Sequence, residues 1–243
     1  MQEPGYISIV IPLYNSGRRV LKLYPLLAEV LSFCKNYEII FVDDGCDDKT
    51  PEIVQGIRKQ DPRIRIMRSN MNLGQHRALL AGYKHSRGDI VISLDDDAFE
   101  EARFIPQFIK KINEGYDIVL SWREKREHSL VRKIASFAFN SIISLRAGKR
   151  IHDIGSSLKA RNRRVIDKLI SLGGMPRLLR FYKYYKIAEI KIPLMGSNKF
   201  STRYNFIKLM KAAIFILEND IFNGKERQNL QEETQLYKEI DFQ

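Results

Sequence analysis

Three consecutive carboxylates, at Asp95, Asp96 and Asp97, follow directly after the largely apolar segment 90–94. Three like charges at one point cost free energy unless a cation lies beside them. Hard cations such as Mg²⁺ and Mn²⁺ prefer oxygen ligands, and Mg²⁺ usually takes one or two carboxylates together with substrate phosphates. The triplet therefore predicts a divalent-metal site in which Asp97, with Asp95, holds a cation that stabilises a departing diphosphate.

Other catalytic chemistries have weaker support in the sequence. The four histidines, at positions 76, 85, 128 and 152, lack the ligand spacing of a zinc site. Neither GxxxxGK[ST] nor GxGxxG occurs, which argues against a P-loop kinase and against a dinucleotide-binding domain. Because Cys34 and Cys46 are too few for a disulfide framework, we expect reduced thiols.

Short apolar strands that alternate with helices carry these carboxylates. The alternation is typical of βαβ crossovers and predicts an α/β fold with a mainly parallel sheet, whose ligands bind beyond the carboxyl ends of the strands. The polar clusters PLYN, DDGCDD, DDD and WRE each follow a predicted strand, so we expect them to share one edge; Asp47 or Asp48 is expected to cap the next helix. Strands are predicted at 6–11, 38–42, 63–69, 89–95, 117–122, 155–160 and 187–194. Helices are predicted at 18–34, 47–60, 73–86, 104–115 and 162–170.

The chain is strongly basic, with a net charge of +12. Most of the excess lies in the segment 123–164, which holds 12 Lys and Arg against three Asp and Glu. Such a segment suits an anionic partner, which leaves nucleic acid, anionic lipid and phosphorylated substrates open. Acidic clusters at the predicted binding edge would repel a phosphate backbone, so no nucleic-acid partner is expected.

Two apolar segments suggest contact with a membrane surface. No apolar run reaches the roughly 18–20 residues that cross a bilayer, and the N-terminus lacks the features of a secretory signal. The predicted helix at 128–147 is apolar over much of its circumference, which is equally consistent with packing in the core, and a second helix at 204–217 is long enough to lie in the interface. Between them, 171–186 is predicted as loops or a mobile lid, and 218–243 as a polar tail that is frayed or partly helical.

Several motifs in order carry a family resemblance. IVIPLYN at 9–15, VDDG at 42–45, NLGQHRALLAG at 72–82 and GDIVISLDDD at 88–97 together resemble family 2 glycosyltransferases of the GT-A fold. The segments WREKREHSLVRKIASFAFNSII, HDIGSSLKARNRRVID and IPLMGSNKFSTRYNFIKLMKAAIFI are similar to the polyprenyl-phosphate glycosyltransferase branch, which includes dolichol-phosphate mannose synthases and bacterial undecaprenyl-phosphate sugar transferases. The resemblance covers roughly residues 6–217.

The resemblance implies a fold and an activity. The fold would be one Rossmann-like GT-A domain at 1–217, with helices on both faces of the sheet, a nucleotide-binding half at 1–122, an acceptor half at 123–217 and a C-terminal interfacial helix. The activity would be inverting transfer from a UDP- or GDP-linked sugar to a polyprenyl phosphate, with Mg²⁺ or Mn²⁺, by a peripheral protein at the cytoplasmic membrane face. A hydroxyl acceptor on a surface polysaccharide and, less favoured, a non-catalytic nucleotide-sugar-binding protein remain as alternatives.

The resemblance also assigns site residues by motif position. Asp153 stands at the place of the branch's proposed catalytic aspartate; it would orient a phosphate acceptor, which is already anionic, whereas a hydroxyl acceptor would need a base. Asp96 occupies the variable middle place of D-x-D and is expected to be the most replaceable of the triplet. Contacts to the nucleotide-sugar are implied for Pro12, Tyr14, Asn15, Asp43, Asp44, Gln75, Asp95, Asp96 and Arg123, contacts to phosphate or acceptor for Arg132, Lys199 and Ser201, and metal ligation for Asp95 and Asp97.

The sequence departs from the branch at two places near these residues. Ser16 follows Tyr-Asn where the branch usually has Glu. Ala98 and Phe99 follow the triplet where the branch often has Leu-Gln, with Glu100 one place further on. The first departure concerns a predicted nucleotide contact, and the second lies beside the predicted metal ligands.

Overall fold

An eight-stranded sheet forms the centre of the described part of the chain. The computed structural model describes residues 5–123, 141, 144, 148–153, 155–173, 179–193 and 238–239. The strands are β1 (Ile7–Leu13), β2 (Tyr37–Asp44), β3 (Ile64–Ser69), β4 (Ile90–Ser93), β5 (Ile118–Arg123), β6 (Lys159–Asn162), β7 (Ile187–Ile192) and β8 (Lys238–Glu239). Their order is β7-β5-β6-β4-β1-β2-β3-β8, and β6 and β8 run antiparallel to their neighbours.

Helices cover both faces of the sheet, as predicted. They are α1 (Gly17–Val30), α2 (Thr50–Gln60), α3 (Gln75–His85), α4 (Phe99–Ala102), α5 (Ile105–Asn113) and α6 (Arg163–Ser171), with a 3₁₀ helix at Leu179–Tyr184. On one face α1, α2, α4 and α5 pack against Ile9 and its neighbours, and on the other α3 and α6 pack against Val10. Because successive side chains of a strand point to opposite faces, β1 contributes to both cores and reads as a continuous apolar run.

A crevice in the sheet opens beside the end of β1. β1 lies between β2 and β4, but its pairing with β4 ends at Val10 and Ser93, whereas its pairing with β2 continues to Leu13 and Asp43. Pro12, which has no N–H, therefore lies where β4 has already ended, and it costs no ladder bond to β4. The chain passes from β1 to β2 and β3 on one side and then crosses back to β4 on the other side of β1. Ligands bind in open α/β sheets where the strand order reverses in this way.

The α/β fold with a mainly parallel sheet is confirmed, and the seven predicted strands are all present. Three are clearly shorter than predicted. The strand expected at 89–95 is Ile90–Ser93, the strand expected at 155–160 is Lys159–Asn162, because residues 155–158 form a loop, and the strand expected at 187–194 ends at Ile192. Of the apolar helix predicted at 128–147, the structure describes Ser141 and Ser144, both helical. The helix predicted at 204–217 lies outside the described residues.

Two predictions about irregular segments were wrong in part. The region 171–186, predicted as loops, contains the 3₁₀ helix, in which the Tyr182 side chain is buried against Tyr83 and Arg161. The tail at 218–243, predicted as frayed or helical, contributes β8, which pairs with Met67 and Arg68. The edge of β3 offers unpaired backbone groups, and β8 satisfies part of them.

Both cysteines are free and buried. Burial raises the pKa of the Cys34 thiol to about 11. Burial, together with the neighbouring Asp43, raises the pKa of Cys46 to about 12. Both side chains are therefore inert neutral thiols at physiological pH, in agreement with the sequence. Within the described ranges, no helix has the length and apolar character needed to cross a bilayer.

Candidate active site

Three of the four polar clusters predicted to share one edge of the sheet, PLYN, DDGCDD and DDD, are joined there by hydrogen bonds. Asn15, in the loop after β1, and Asp47, in the loop after β2, exchange two of them: Asn15 Nδ2 donates to Asp47 Oδ1 at 2.7 Å, and Asp47 N donates to Asn15 Oδ1 at 3.2 Å. Asn15 has a φ of +50°, a left-handed conformation that asparagine tolerates better than most residues. Asp48 Oδ1 accepts from the N–H of Thr50, the first residue of α2, at 2.8 Å, but the N-cap position belongs to Lys49, so neither predicted candidate is the N-cap.

The middle carboxylate of the triplet is bound from within the chain. Asp96 Oδ2 lies 2.9 Å from Nε and 2.7 Å from Nη2 of Arg19, and it also accepts from the Ser16 hydroxyl. Arg19 Nη2 donates in addition to the Asn15 carbonyl oxygen at 3.2 Å. Asp96 therefore ties the turn after β4 to the loop after β1, across the crevice. This bonding argues against the expectation that Asp96 is the most replaceable of the three.

The Ser16 departure fits the same arrangement. Ser16 is buried, and its amide donates to the Thr50 hydroxyl at 2.8 Å. A glutamate at this position would bring a fourth carboxylate against Asp96. The serine is small and donates a hydrogen bond instead, which leaves room for the Arg19 guanidinium.

Replacing Asp96 with Ala is expected to lower the free energy of unfolding by about 1–2 kcal/mol, because two charge-assisted hydrogen bonds are lost at a partly exposed site. Urea denaturation measures the change. Glu114→Gln is the matched control, since Glu114 forms an exposed ion pair with Lys111, and it should leave the free energy of unfolding almost unchanged. An Asp96→Ala stability equal to that of the control would restore the view of Asp96 as replaceable.

The two outer carboxylates lie nearer to solvent. Asp95 is half-buried and its Oδ1 accepts from Gln75 Nε2 at 2.6 Å, while Asp97 is exposed. Two carboxylates two positions apart match the oxygen donors that Mg²⁺ and Mn²⁺ prefer. The described residues contain no group of three or more His, Cys, Asp or Glu side chains that would hold a metal alone. Two carboxylate donors suit a cation that completes its coordination with substrate phosphates and water.

The two aspartates at the end of β2 differ in their bonding. Asp44 accepts from Leu73 N at 2.9 Å and from Gly74 N at 2.8 Å, so it braces the loop before α3. Asp43 Oδ1 accepts from Cys46 N at 2.8 Å, whereas its buried Oδ2 has no hydrogen bond among the described residues. Arg68 Nε lies 3.2 Å from that Oδ2, an ion-pair contact whose geometry is not that of a hydrogen bond. A buried acceptor in this state costs free energy that a ligand N–H could recover.

Gly45 follows these aspartates at the closest approach between two loops. Its φ is +71°, and a Cβ there would lie 2.5 Å from the carbonyl carbon of Met71. Both the backbone conformation and the contact exclude other residues. The loops after β2 and β3 therefore touch through backbone, which sets the position of Asp43 and Asp44.

The loop that carries Asp153 is tied to the helix after the triplet. Ser157 Oγ donates to Glu101 Oε1 at 3.0 Å, and both side chains are buried. On the other side, Ser144 Oγ accepts from Ile151 N at 2.9 Å. Asp153 itself is buried, with 8% of its surface exposed. The structure thus connects the Asp153 loop to α4, which directly follows Asp95–Asp97.

Some predicted site residues are not part of the hydrogen-bonded network at this edge of the sheet. Pro12 is half-buried in β1 and the Tyr14 side chain is exposed, so the roles implied for them stay predictions. The side chain of Arg123 and the whole of Arg132, Lys199 and Ser201 lie outside the described residues, so their contacts stay predictions.

Sequence reasoning missed two side chains of this edge. Arg19 lies in the first turn of α1, and a basic residue so close to Ser16 was the available signal. Glu189 accepts from His152 in the loop that carries Asp153. Its signal was a lone acidic residue inside an otherwise apolar strand segment.

Comparisons with known proteins identify the family. The family model described as glycosyl transferase family 2 matches residues 8–170. The undecaprenyl-phosphate 4-deoxy-4-formamido-L-arabinose transferase of Photorhabdus laumondii is 34% identical over 214 residues, which cover 84% of this chain and 64% of that protein. The Klebsiella pneumoniae (strain 342) protein of the same name is 31% identical over 212 residues, with the same coverage. The chain thus spans slightly less than two thirds of the length of these relatives.

Solved structures of low sequence identity share the fold. A mannosyltransferase of Pyrobaculum calidifontis in complex with GDP-Man and Mn²⁺ has a TM-score of 0.65 at 16% identity, covering 97% of this chain and 70% of that one. Glucosyl-3-phosphoglycerate synthase of Mycobacterium tuberculosis, in complex with Mn²⁺, UDP and glucosyl-3-phosphoglycerate, has a TM-score of 0.62 at 18% identity, covering 88% and 77%. The GT-A fold predicted from the motifs is confirmed. With the family model matching most of its length, the chain belongs to glycosyl transferase family 2.

Proposed function

We propose that this protein transfers a sugar, with inversion, from a nucleotide-sugar to a polyprenyl phosphate at the cytoplasmic face of a membrane. The observation that carries the proposal is the placement of Asp95 and Asp97 at the crevice beside β1, linked through α4 to the loop of Asp153. The likeness to relatives named as undecaprenyl-phosphate transferases supports the acceptor class.

Asp97 and Asp95 would hold the divalent cation, Mg²⁺ or Mn²⁺. When bound, the cation would stabilise the negative charge that develops on the departing nucleoside diphosphate. Gln75, bonded to Asp95, would keep that carboxylate oriented. Arg19 would keep the neighbouring Asp96 from binding the cation, because the Asp96 carboxylate is already paired with the Arg19 guanidinium.

Asp43 suggests which bases the donor carries. An ionised carboxylate only accepts hydrogen bonds. Uracil and guanine present a ring N–H on their pairing edge. Cytosine and adenine present a ring nitrogen acceptor there, which a carboxylate repels, beside an exocyclic amino donor. The buried Asp43 Oδ2 therefore favours UDP- or GDP-linked sugars over CDP- or ADP-linked ones, with Tyr14, Asn15 and Asp44 as further elements of the nucleotide pocket.

The acceptor phosphate would attack the anomeric carbon from the face opposite the leaving group. A new bond forms between the phosphate oxygen and that carbon, the bond to the diphosphate oxygen breaks, and the electron pair leaves with the nucleoside diphosphate. Asp153 would orient the acceptor, and Arg132, Lys199 and Ser201 would bind phosphate. The basic segment 123–164 and the apolar segments 128–147 and 204–217 would hold the protein on an anionic membrane surface.

A transfer assay tests the proposal directly. Radiolabelled UDP- and GDP-sugars, with Mn²⁺ and a short polyprenyl phosphate, should yield label that extracts into organic solvent, and EDTA should abolish it. CDP- and ADP-sugars serve as matched controls and should give no product. If label is transferred only to a glycan hydroxyl, the acceptor is a glycan and not a polyprenyl phosphate. If the protein binds nucleotide-sugar without any turnover, the non-catalytic alternative is favoured.

A further inference from the structure

Glu189 makes unusual use of both its carboxylate oxygens. This residue lies in the middle of β7, and its side chain is 12% exposed. Its Oε1 accepts from the backbone N of His152 at 2.8 Å and from that of Asp153 at 3.4 Å. Its Oε2 lies 2.7 Å from Nδ1 of the His152 ring. One carboxylate thus binds two consecutive residues of the loop at three points.

The His152 ring is fixed by a second contact. It stacks on Trp122, at the end of β5, with ring centroids 4.0 Å apart and planes inclined by 14°. The Lys191 ammonium lies 4.6 Å from the Trp122 ring centroid, so the indole also has a cation against it. Because an ionised Glu189 can only accept, His152 Nδ1 must carry the hydrogen of their contact. The neutral ring is then held in a single tautomer.

The strand does not need this carboxylate to hold its place. β7 is paired with β5 along its whole length, from Ile187 opposite Ile118 to Ile192 opposite Arg123. The hydrogen bonds of Glu189 are made instead to the loop, where they restrain the backbone of His152 and Asp153. A carboxylate bound to successive backbone amides sets the direction in which the next side chain leaves the chain.

We propose that Glu189 is a positioning residue for sugar transfer: it fixes Asp153, through the His152–Asp153 backbone and the His152–Trp122 stack, in the orientation that meets the acceptor. This inference rests on the role proposed above for Asp153. It assigns Glu189, His152 and Trp122 to the acceptor side of the reaction and none of them to the nucleotide pocket.

Glu189→Gln tests the proposal with almost no change in size. The amide oxygen can still accept from one backbone N–H, but the amide NH₂ then faces Nδ1 and favours the tautomer protonated at Nε2. We expect kcat to fall about 10- to 100-fold, since small displacements of a reacting group have effects of that order. The KM for the nucleotide-sugar should stay within about twofold, and ¹⁵N spectra of His-labelled protein, assigned with His152→Gln, should show the change of tautomer.

Asp117→Asn is the matched control. Asp117 is also a largely buried carboxylate next to β7: it accepts from the backbone N of Lys186 at 2.8 Å and pairs with Arg164 at 2.8 Å. It lies before β5, at the opposite end of the strand from the loop of Asp153. The Asp117→Asn substitution should lower the free energy of unfolding but leave kcat near the wild-type value at temperatures well below the unfolding transition.

The outcomes separate this inference from the proposed function. Wild-type protein that transfers no sugar to any acceptor refutes the function. Active wild-type protein, with Glu189→Gln slowed and its His152 tautomer changed while Asp117→Asn remains active, supports the inference. Wild-type kcat in Glu189→Gln, an unchanged tautomer, or an equal loss in both variants overturns it.

Discussion

Replacing Asp153 with Asn is expected to lower kcat about 100-fold with a polyprenyl-phosphate acceptor. The acceptor is already anionic, so the loss reflects its orientation and not the removal of a base. With a hydroxyl acceptor the loss would approach roughly 10,000-fold, because general-base catalysis would be removed as well. The KM for the nucleotide-sugar should change little. Steady-state kinetics with each acceptor, from pH 6 to pH 9, measures both effects.

The size of the Asp153 effect therefore reports the chemistry of the acceptor. Asp167→Asn is the control, since Asp167 is an exposed residue of α6 whose contact with Arg163 is a surface ion pair; it should keep wild-type kinetics. Undiminished turnover in Asp153→Asn would remove this residue from the reaction and, with it, the reason for the Glu189 arrangement.

Replacing Asp97 with Asn should weaken Mn²⁺ binding and lower kcat by about 100- to 1,000-fold, the order expected when several kcal/mol of charge stabilisation is lost from the transition state. Titration calorimetry with Mn²⁺ in the presence of UDP measures affinity, and turnover at saturating Mn²⁺ separates binding from catalysis.

Asp96→Asn provides the comparison for the metal. Its carboxylate is turned onto Arg19 and Ser16, so this variant should lose stability but bind Mn²⁺ more nearly like wild type than Asp97→Asn does. If Asp97→Asn keeps both Mn²⁺ affinity and activity, the assignment of Asp97 as a metal ligand is wrong.

Local patterns explain why so much of the fold was predictable. The apolar runs of β1, β2 and β4 and the carboxylates that end them lie within single short segments. The carboxyl-edge rule then brings segments distant in sequence to one edge without further information. The same rule predicts that Asp43, Asp44 and Asp95–Asp97 lie together at that edge.

Contacts between distant segments explain what was missed. The Arg19–Asp96 pair joins residues 77 positions apart, and Glu189 reaches His152 across 37 positions. Neither pairing follows from residue type, because many Arg and Glu side chains in the sequence are equally available. β6 begins at Lys159 and not at the predicted residue 155 for a similar reason. The segment before it forms a loop that the hydrogen bond from Ser157 to Glu101 holds in place.

The Arg19–Asp96 pair also bears on whether this protein folds before or after it binds a cation. Since the chain supplies its own counter-ion for Asp96, the charge left at the triplet for an external cation is that of two carboxylates and not three. Folding can then precede metal binding, unlike in small zinc domains that stay unfolded until the metal arrives. Under the proposed mechanism, the cation would accordingly enter and leave with the nucleotide in each turnover, and the contacts between Arg19 and Asp96 would not depend on it.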